Sequence, residues 1–105
     1  AAHYVAQAED LATLTVIMNN HMWFAVNRAT RIMYPDGRAV KSNLMPLTEL
    51  APSPKFEKTI EACGGYGERI EDPAELKGAL CRGLERVQGG QSVLLNVITQ
   101  PGGRD

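Results

Sequence analysis

Asn19 and Asn20 are the residues whose type and position best suit them to chemistry. They end the apolar run Leu14-Thr15-Val16-Ile17-Met18 and precede His21-Met22-Trp23. In an open α/β sheet, ligands bind just outside the carboxyl ends of the strands. An asparagine amide oxygen and a nearby backbone carbonyl are neutral ligands for a hard cation. Magnesium is held by few protein ligands when phosphates complete its octahedron, and a helix beginning beside such a site favours the phosphates. The same pair also has a purely architectural reading. Asparagine side chains bond the local backbone and tolerate unusual dihedrals, so two of them can simply end a strand and begin a helix. Spacing alone leaves both readings open.

Other candidates carry less. Gly64-Gly65-Tyr66-Gly67 has the composition of a phosphate loop. A dinucleotide fingerprint must follow a strand and open a helix, whereas this cluster closes a helix and opens a strand, which suits a helix cap and a tight turn. His21 has no second histidine at i+4 and no cysteine nearby, so nothing in its spacing makes it a metal ligand or a base. Cys63 and Cys81 lack CxxC spacing and fall at apolar helix positions. They read as small buried hydrophobes in a reducing compartment. No Ser/His/Asp or Cys/His constellation can be assembled from spacing.

The elements that position the asparagines can be read in order. Residues 1–10 form a helix, with Tyr4, Val5, Ala8 and Leu11 at helical spacing. Thr13 to Met18 is a strand whose apolar run lacks clean alternation, as expected with both faces covered. Met22 to Met33 is a helix with Trp23, Val26, Thr30 and Met33 along one face, and Asn20 or a neighbour as its N-cap. Tyr34 to Pro54 holds Pro35, Pro46, Pro52 and Pro54 and reads as a long loop packed against another part of a larger protein. Ser53-Pro54 opens a helix that buries Phe56, Ile60 and Cys63, and Gly64-Gly65 ends it. Tyr66 to Ile70 is a short strand. Asp72-Pro73-Ala74-Glu75 starts the clearest amphipathic helix, through Leu76, Ala79, Leu80, Gly83, Leu84 and Val87. Ser92 to Thr99 is the last strand, and Pro101-Gly102-Gly103 is a tail or linker. Strands separated by helices predict an α/β fold: a parallel sheet of about three strands with helices on both faces.

Composition limits the partners. The chain has 105 residues, 44% hydrophobic and 22% charged, with 11 basic and 12 acidic side chains and a net charge of −1. That is one small globular domain with a thin core. Without a basic stripe it has no electrostatic support for nucleic-acid binding. Its apolar runs are too short to span a bilayer, and Ala1-Ala2-His3-Tyr4 is no signal peptide. A chain that lacks an initiator methionine reads as a fragment or a processed chain, and one that starts mid-element as part of a larger domain; the expected location is cytoplasmic.

The residues also resemble a known family. Leu14 to Val26, with Asn19-Asn20 after an apolar strand and then Met22-Trp23-Phe24-Ala25-Val26, is similar to the second half of the thiamine-diphosphate motif, which runs from Gly-Asp-Gly through a spacer to Asn-Asn. Pro54-Lys55-Phe56, the segment Ala62 to Ile70, Asp72-Pro73-Ala74-Glu75-Leu76 and Leu94-Leu95-Asn96-Val97-Ile98 resemble the C-terminal, diphosphate-binding domain of acetolactate-synthase-like enzymes. The resemblance implies that this chain is the C-terminal part of that domain. It implies thiamine diphosphate and magnesium as cofactors, leaves FAD open for the full-length enzyme, and implies decarboxylation and carboligation of 2-oxo acids as the reaction. Asn20 would give its side-chain oxygen and Met22 its backbone carbonyl to magnesium. Asn19, Asn20, His21 and Met22 together would contact the cofactor.

The resemblance also implies what is missing. The third protein ligand is the aspartate of Gly-Asp-Gly; no such tripeptide occurs in the residues before Asn19, so it is expected upstream of Ala1. The activating glutamate belongs to a separate pyrimidine-binding domain, usually of a second subunit. The partners implied are the rest of the enzyme chain and a second copy, as a homodimer or tetramer, and the isolated 105 residues are expected to be inactive. Phe24 departs from the family, whose members usually carry glycine after the tryptophan, and a bulky residue there would reshape the cofactor's surroundings. Two other readings stand beside this one: a stand-alone or degenerate interaction module without cofactor, and a flavodoxin-like signalling or nucleotide-binding domain.

Overall fold

A computed structural model describes residues 1–100. They divide into two compact units, Ala1–Asn19 with Lys55–Ile98, and Asn20–Pro54. The expected tail, Pro101-Gly102-Gly103, lies outside the described residues.

The first unit holds a parallel sheet of β1 (Leu14–Asn19), β2 (Tyr66–Ile70) and β3 (Val93–Ile98) in the order β1-β3-β2. Val16 pairs with Leu95 and Asn19 with Ile98; Tyr66 pairs with Val93 and Ile70 with Val97. The helices of this unit are α1 (Ala2–Ala8), α4 (Phe56–Glu61) and α5 (Leu76–Gln88). The α/β class, the parallel sheet and the three strands agree with the sequence reading.

β3 is central and covered on both faces. One face, Val93, Leu95 and Val97, packs with Ile70 and Ala79 beneath α5, joined by Leu14, Tyr66, Leu76, Leu80 and Val87. Each fully buried aliphatic side chain here contributes about 1.5–3 kcal/mol. On the other face, Asn96 is completely buried and its Nδ2 donates to Glu57 Oε2 of α4 at 2.8 Å. Asn96 Oδ1 has no partner among the described residues. Burial pushes the Glu57 carboxyl up. The Asn96 hydrogen bond, a backbone hydrogen bond and the charges of Arg69 and Lys58 outweigh that and hold it below its ordinary value. Glu68 is also lowered, chiefly by its hydrogen bonds from Arg82, against burial and with help from the Tyr66 hydroxyl.

The glycine cluster is architectural. Gly64 has φ +79°, the left-handed conformation that ends a helix. At Gly67 a Cβ would lie 2.1 Å from the Glu57 carbonyl oxygen, so only glycine lets β2 approach α4 this closely. Asp72 caps as predicted: its side chain accepts from the Ala74 N–H at 2.9 Å, and the first turn, Pro73–Glu75, is a 3₁₀ turn leading into α5.

Several local expectations are corrected. β1 is an edge strand of the described sheet, and its side chains alternate, with Val16 and Met18 exposed. Its unbroken apolar run therefore does not signify two covered faces here. Cys81 is exposed and Cys63 only half-buried, both as free thiols, because α5 turns Cys81 away from the sheet and α4 ends at Glu61 before reaching Cys63. α4 begins at Phe56 after Lys55, so Ser53 is not its cap.

The second unit contains α2 (Phe24–Met33) and α3 (Arg38–Ser42). The segment expected to be one loop thus carries a short helix, with Asn43 left-handed at its end (φ 52°). α2 starts two residues later than predicted, with Trp23 at the N-cap position and no side-chain cap. Its expected inner face is turned outward: Trp23, Val26 and Met33 are exposed, and the buried residue of the helix is Asn27. Hydrogen bonds, described below, rather than apolar contact hold that side of α2.

Candidate functional site

β1 delivers Asn19 to the carboxyl end of the sheet, where it is buried. Asn20 follows, and the chain then turns at His21, which adopts φ 61°. A non-glycine residue in the left-handed region is uncommon and marks a site held by its surroundings. The reversal brings the Asn20 side chain back over the next peptide: Asn20 Oδ1 accepts from the Met22 N–H at 3.3 Å. This is an Asx turn, the local bonding that makes asparagine suited to strand ends. Met22 itself is buried.

Beyond the turn, Met22 faces Glu49 in an isolated antiparallel bridge. The bridging bonds come from its neighbours: the Trp23 N–H donates to the Thr48 carbonyl and the Leu50 N–H to the His21 carbonyl, both at 2.7 Å. Met22 and Glu49 are therefore a non-hydrogen-bonded pair, whose own N–H and C=O groups point away from the partner strand. The Met22 N–H goes to Asn20, and its carbonyl is not used by the bridge. Asn20 Oδ1, a carbonyl-type oxygen with two lone pairs, and the Met22 carbonyl thus belong to one short turn and are both neutral oxygen donors. α2 begins immediately afterwards. Its first turn has no side-chain cap and no acidic residue, so its N–H groups suit an anion.

Of the residues singled out from sequence, Asn20, His21 and Met22 are brought together in this turn, and Asn19 is the last residue of the strand before it. Among the described residues there is no cluster of three or more His, Cys, Asp or Glu side chains arranged for a metal. An open cleft of about 190 Å³ lies elsewhere, lined by Gln7, Leu11, Cys63, Gly64, Gly90 and Ser92. These residues precede the strands, so the cleft sits at their amino ends, away from Asn19. The neutral oxygen donors Asn20 Oδ1 and the Met22 carbonyl belong to the turn and do not line the cleft.

Sequence reasoning missed a polar chain behind the turn. Asn27 and Thr48 are 6% and 4% exposed. Arg31 Nε donates to Asn27 Oδ1 at 2.8 Å, Asn27 Nδ2 donates to Thr48 Oγ1 at 3.3 Å, and the Thr48 hydroxyl donates to the Met45 carbonyl at 2.8 Å. Arg31 Nη2 also reaches Asn43 Oδ1 at 3.3 Å. The i, i+4 spacing of Asn27 and Arg31 was the available signal; Thr48, distant in sequence, gave none.

Residues 3–97 match the family described as thiamine pyrophosphate enzyme, C-terminal TPP binding domain. The chain is 32% identical over 92 residues to a probable acetolactate synthase of Mycobacterium bovis and, to the same extent, to an acetolactate synthase large subunit of Mycobacterium tuberculosis. It is 30% identical over 87 residues to a probable sulfoacetaldehyde acetyltransferase of Rhizobium meliloti. These alignments cover 88%, 88% and 83% of this chain, but only 15%, 15% and 14% of the relatives. The chain belongs to the C-terminal, thiamine-pyrophosphate-binding domain family of thiamine pyrophosphate enzymes.

Proposed function

We propose that this chain is the diphosphate-anchoring part of a larger thiamine-diphosphate enzyme acting on 2-oxo acids, with Asn20 Oδ1 and the Met22 carbonyl as two magnesium ligands. The observation that carries this is the non-hydrogen-bonded pairing of Met22 with Glu49. It leaves the Met22 carbonyl outside the bridge, one turn from the Asn20 amide oxygen. Neutral oxygens from the protein suit a magnesium ion whose remaining ligands are diphosphate oxygens, water and a carboxylate. That carboxylate is assigned to an aspartate preceding this segment. The uncapped first turn of α2 receives the diphosphate, Asn19 supports the turn from the strand end, and His21 shapes it.

When bound, thiamine diphosphate supplies the carbon nucleophile for 2-oxo-acid chemistry. The residues of this chain hold its diphosphate and orient it; they supply no acid or base. The similarity to acetolactate synthases supports decarboxylation followed by carboligation, and the acetyltransferase relative supports transfer of a two-carbon unit. A second subunit, FAD in the full-length protein and a cytoplasmic location belong to the same reading and rest on the resemblance. Among the described residues no helix is long and apolar enough to cross a membrane.

The test is calorimetry on the full-length protein with thiamine diphosphate and magnesium. Asn20→Ala should weaken magnesium-dependent binding by at least about 100-fold, the upper end for residues one shell further out, while Asn20→Asp, which keeps an oxygen in place, retains most of it. Unchanged binding by Asn20→Ala would refute the anchor. Turnover of pyruvate by the isolated 105 residues with both cofactors would refute the assignment of catalysis to the rest of the enzyme.

A further inference from the structure

We infer that Thr48, Asn27 and Arg31 are positioning residues that set magnesium affinity from behind the turn, by clamping the segment that orients the Met22 carbonyl. The inference rests on the anchor reading above and concerns different side chains.

The proton count along the chain is unambiguous. Arg31 is a donor only, so it takes Asn27 Oδ1 and forces Nδ2 toward Thr48. Thr48 Oγ1 accepts that bond and has its single proton for the Met45 carbonyl. The donors run in one direction, from a permanent charge to a backbone carbonyl, so each bond polarises the next. Asn27 and Thr48 are both buried, so breaking any link strands a polar group away from water.

The clamp acts on the turn through the backbone. Thr48 lends its carbonyl to the Trp23 N–H, and two residues later the Leu50 N–H binds the His21 carbonyl. Those two bonds flank Met22 on either side. They keep His21 in its left-handed conformation and hold the Met22 peptide with its carbonyl pointing away from residues 48–50. Arg31, through Asn43, also fixes the beginning of the same segment. None of the three side chains needs to touch the ion. Magnesium demands near-ideal octahedral geometry with short bonds, so freedom of one ligand peptide reads out directly as lost affinity. α2 accordingly turns a polar face to residues 43–50 while its apolar residues stay exposed: the specific hydrogen bonds define an orientation that apolar contact would leave loose.

The experiment uses the full-length protein. Magnesium is titrated in the presence of thiamine diphosphate and followed by calorimetry, with steady-state kinetics and hydrogen exchange at the Trp23 and Leu50 amides alongside. Thr48→Val keeps the shape and removes the hydroxyl. It should weaken magnesium by about 10- to 100-fold, as for residues that orient a ligand, and speed exchange at both amides. Its kcat should recover at saturating magnesium and cofactor. Thr48→Ser should restore the affinity. Arg31→Met, at an exposed position, should shift magnesium in the same direction and decides the matter if Thr48→Val does not fold. Wild-type magnesium affinity in Thr48→Val or, if that variant does not fold, in Arg31→Met, with Asn20→Ala still defective, overturns the clamp and leaves the anchor standing. A kcat loss that saturating magnesium does not cure overturns it too, since that is the mark of a merely structural role. Wild-type affinity in Asn20→Ala overturns the anchor, and the clamp with it.

Discussion

Asn96 and Glu57 lend themselves to a double-mutant cycle whose outcome the structure dictates. Asn96 is fully buried on the central strand and Glu57 is 7% exposed, and one 2.8 Å hydrogen bond joins them. Glu57→Met leaves the Asn96 amide with both ends unpaired. Losing a bond to a charged acceptor and stranding its donor costs about 2 kcal/mol. Asn96→Val strips Glu57 of the bond that offsets its burial. It also removes the unpartnered Oδ1, so the net loss is smaller, about 1 kcal/mol. The double variant removes both polar groups together with the orphan oxygen. It places a β-branched residue on the strand and an adaptable one on α4, and should match or slightly exceed the parent. The coupling is then about 3 kcal/mol, the upper end for residues in contact. Denaturant-dependent hydrogen exchange at the Leu94 and Asn96 amides measures the stability of the sheet directly. A double variant as unstable as the sum of the singles would refute the argument, because it would mean that the pair stabilises through packing and not through mutual satisfaction.

Other consequences can be checked alongside. Gly67→Ala should cost about 3 kcal/mol, the upper range for forcing atoms into a packed interior, since the new carbon meets backbone rather than a movable side chain; a stability loss below about 0.5 kcal/mol, the range of ordinary surface changes, would contradict the close approach of β2 and α4. The folded state lowers the Glu57 and Glu68 carboxyls from 4.5, so it binds their protons less readily than the unfolded chain does. Their stabilisation is complete above that value and is lost as pH falls through the lowered folded values. Urea midpoints should therefore drop with acidification below 4.5, less steeply in Glu57→Gln; a flat profile there would count against the lowered carboxyls.

The legible parts of this protein were those written in local chemistry. The Asp72-Pro73 start of α5, the left-handed Gly64 after α4 and the three strands followed from capping rules, glycine's freedom and β-branched runs, which act over a few residues. The illegible parts depended on partners distant in sequence. Nothing around Asn27 names Thr48, and nothing around Glu57 names Asn96, so two buried polar pairs escaped notice. The faces of β1 and α2 stand exposed in this chain for the same reason: an apolar run or stripe shows what can be buried, and only the neighbours decide whether it is.

By itself, the sequence determined the α/β class and the location of the Asn19-Asn20 turn, because an apolar β-branched strand ending in two asparagines has few local alternatives. Only the tertiary structure decided what that turn offers. The pairing of Met22 with Glu49, across a long stretch of chain, turns a carbonyl away from the bridge in the same short turn as Asn20, and a carbonyl's direction is a property of the backbone that no residue type encodes.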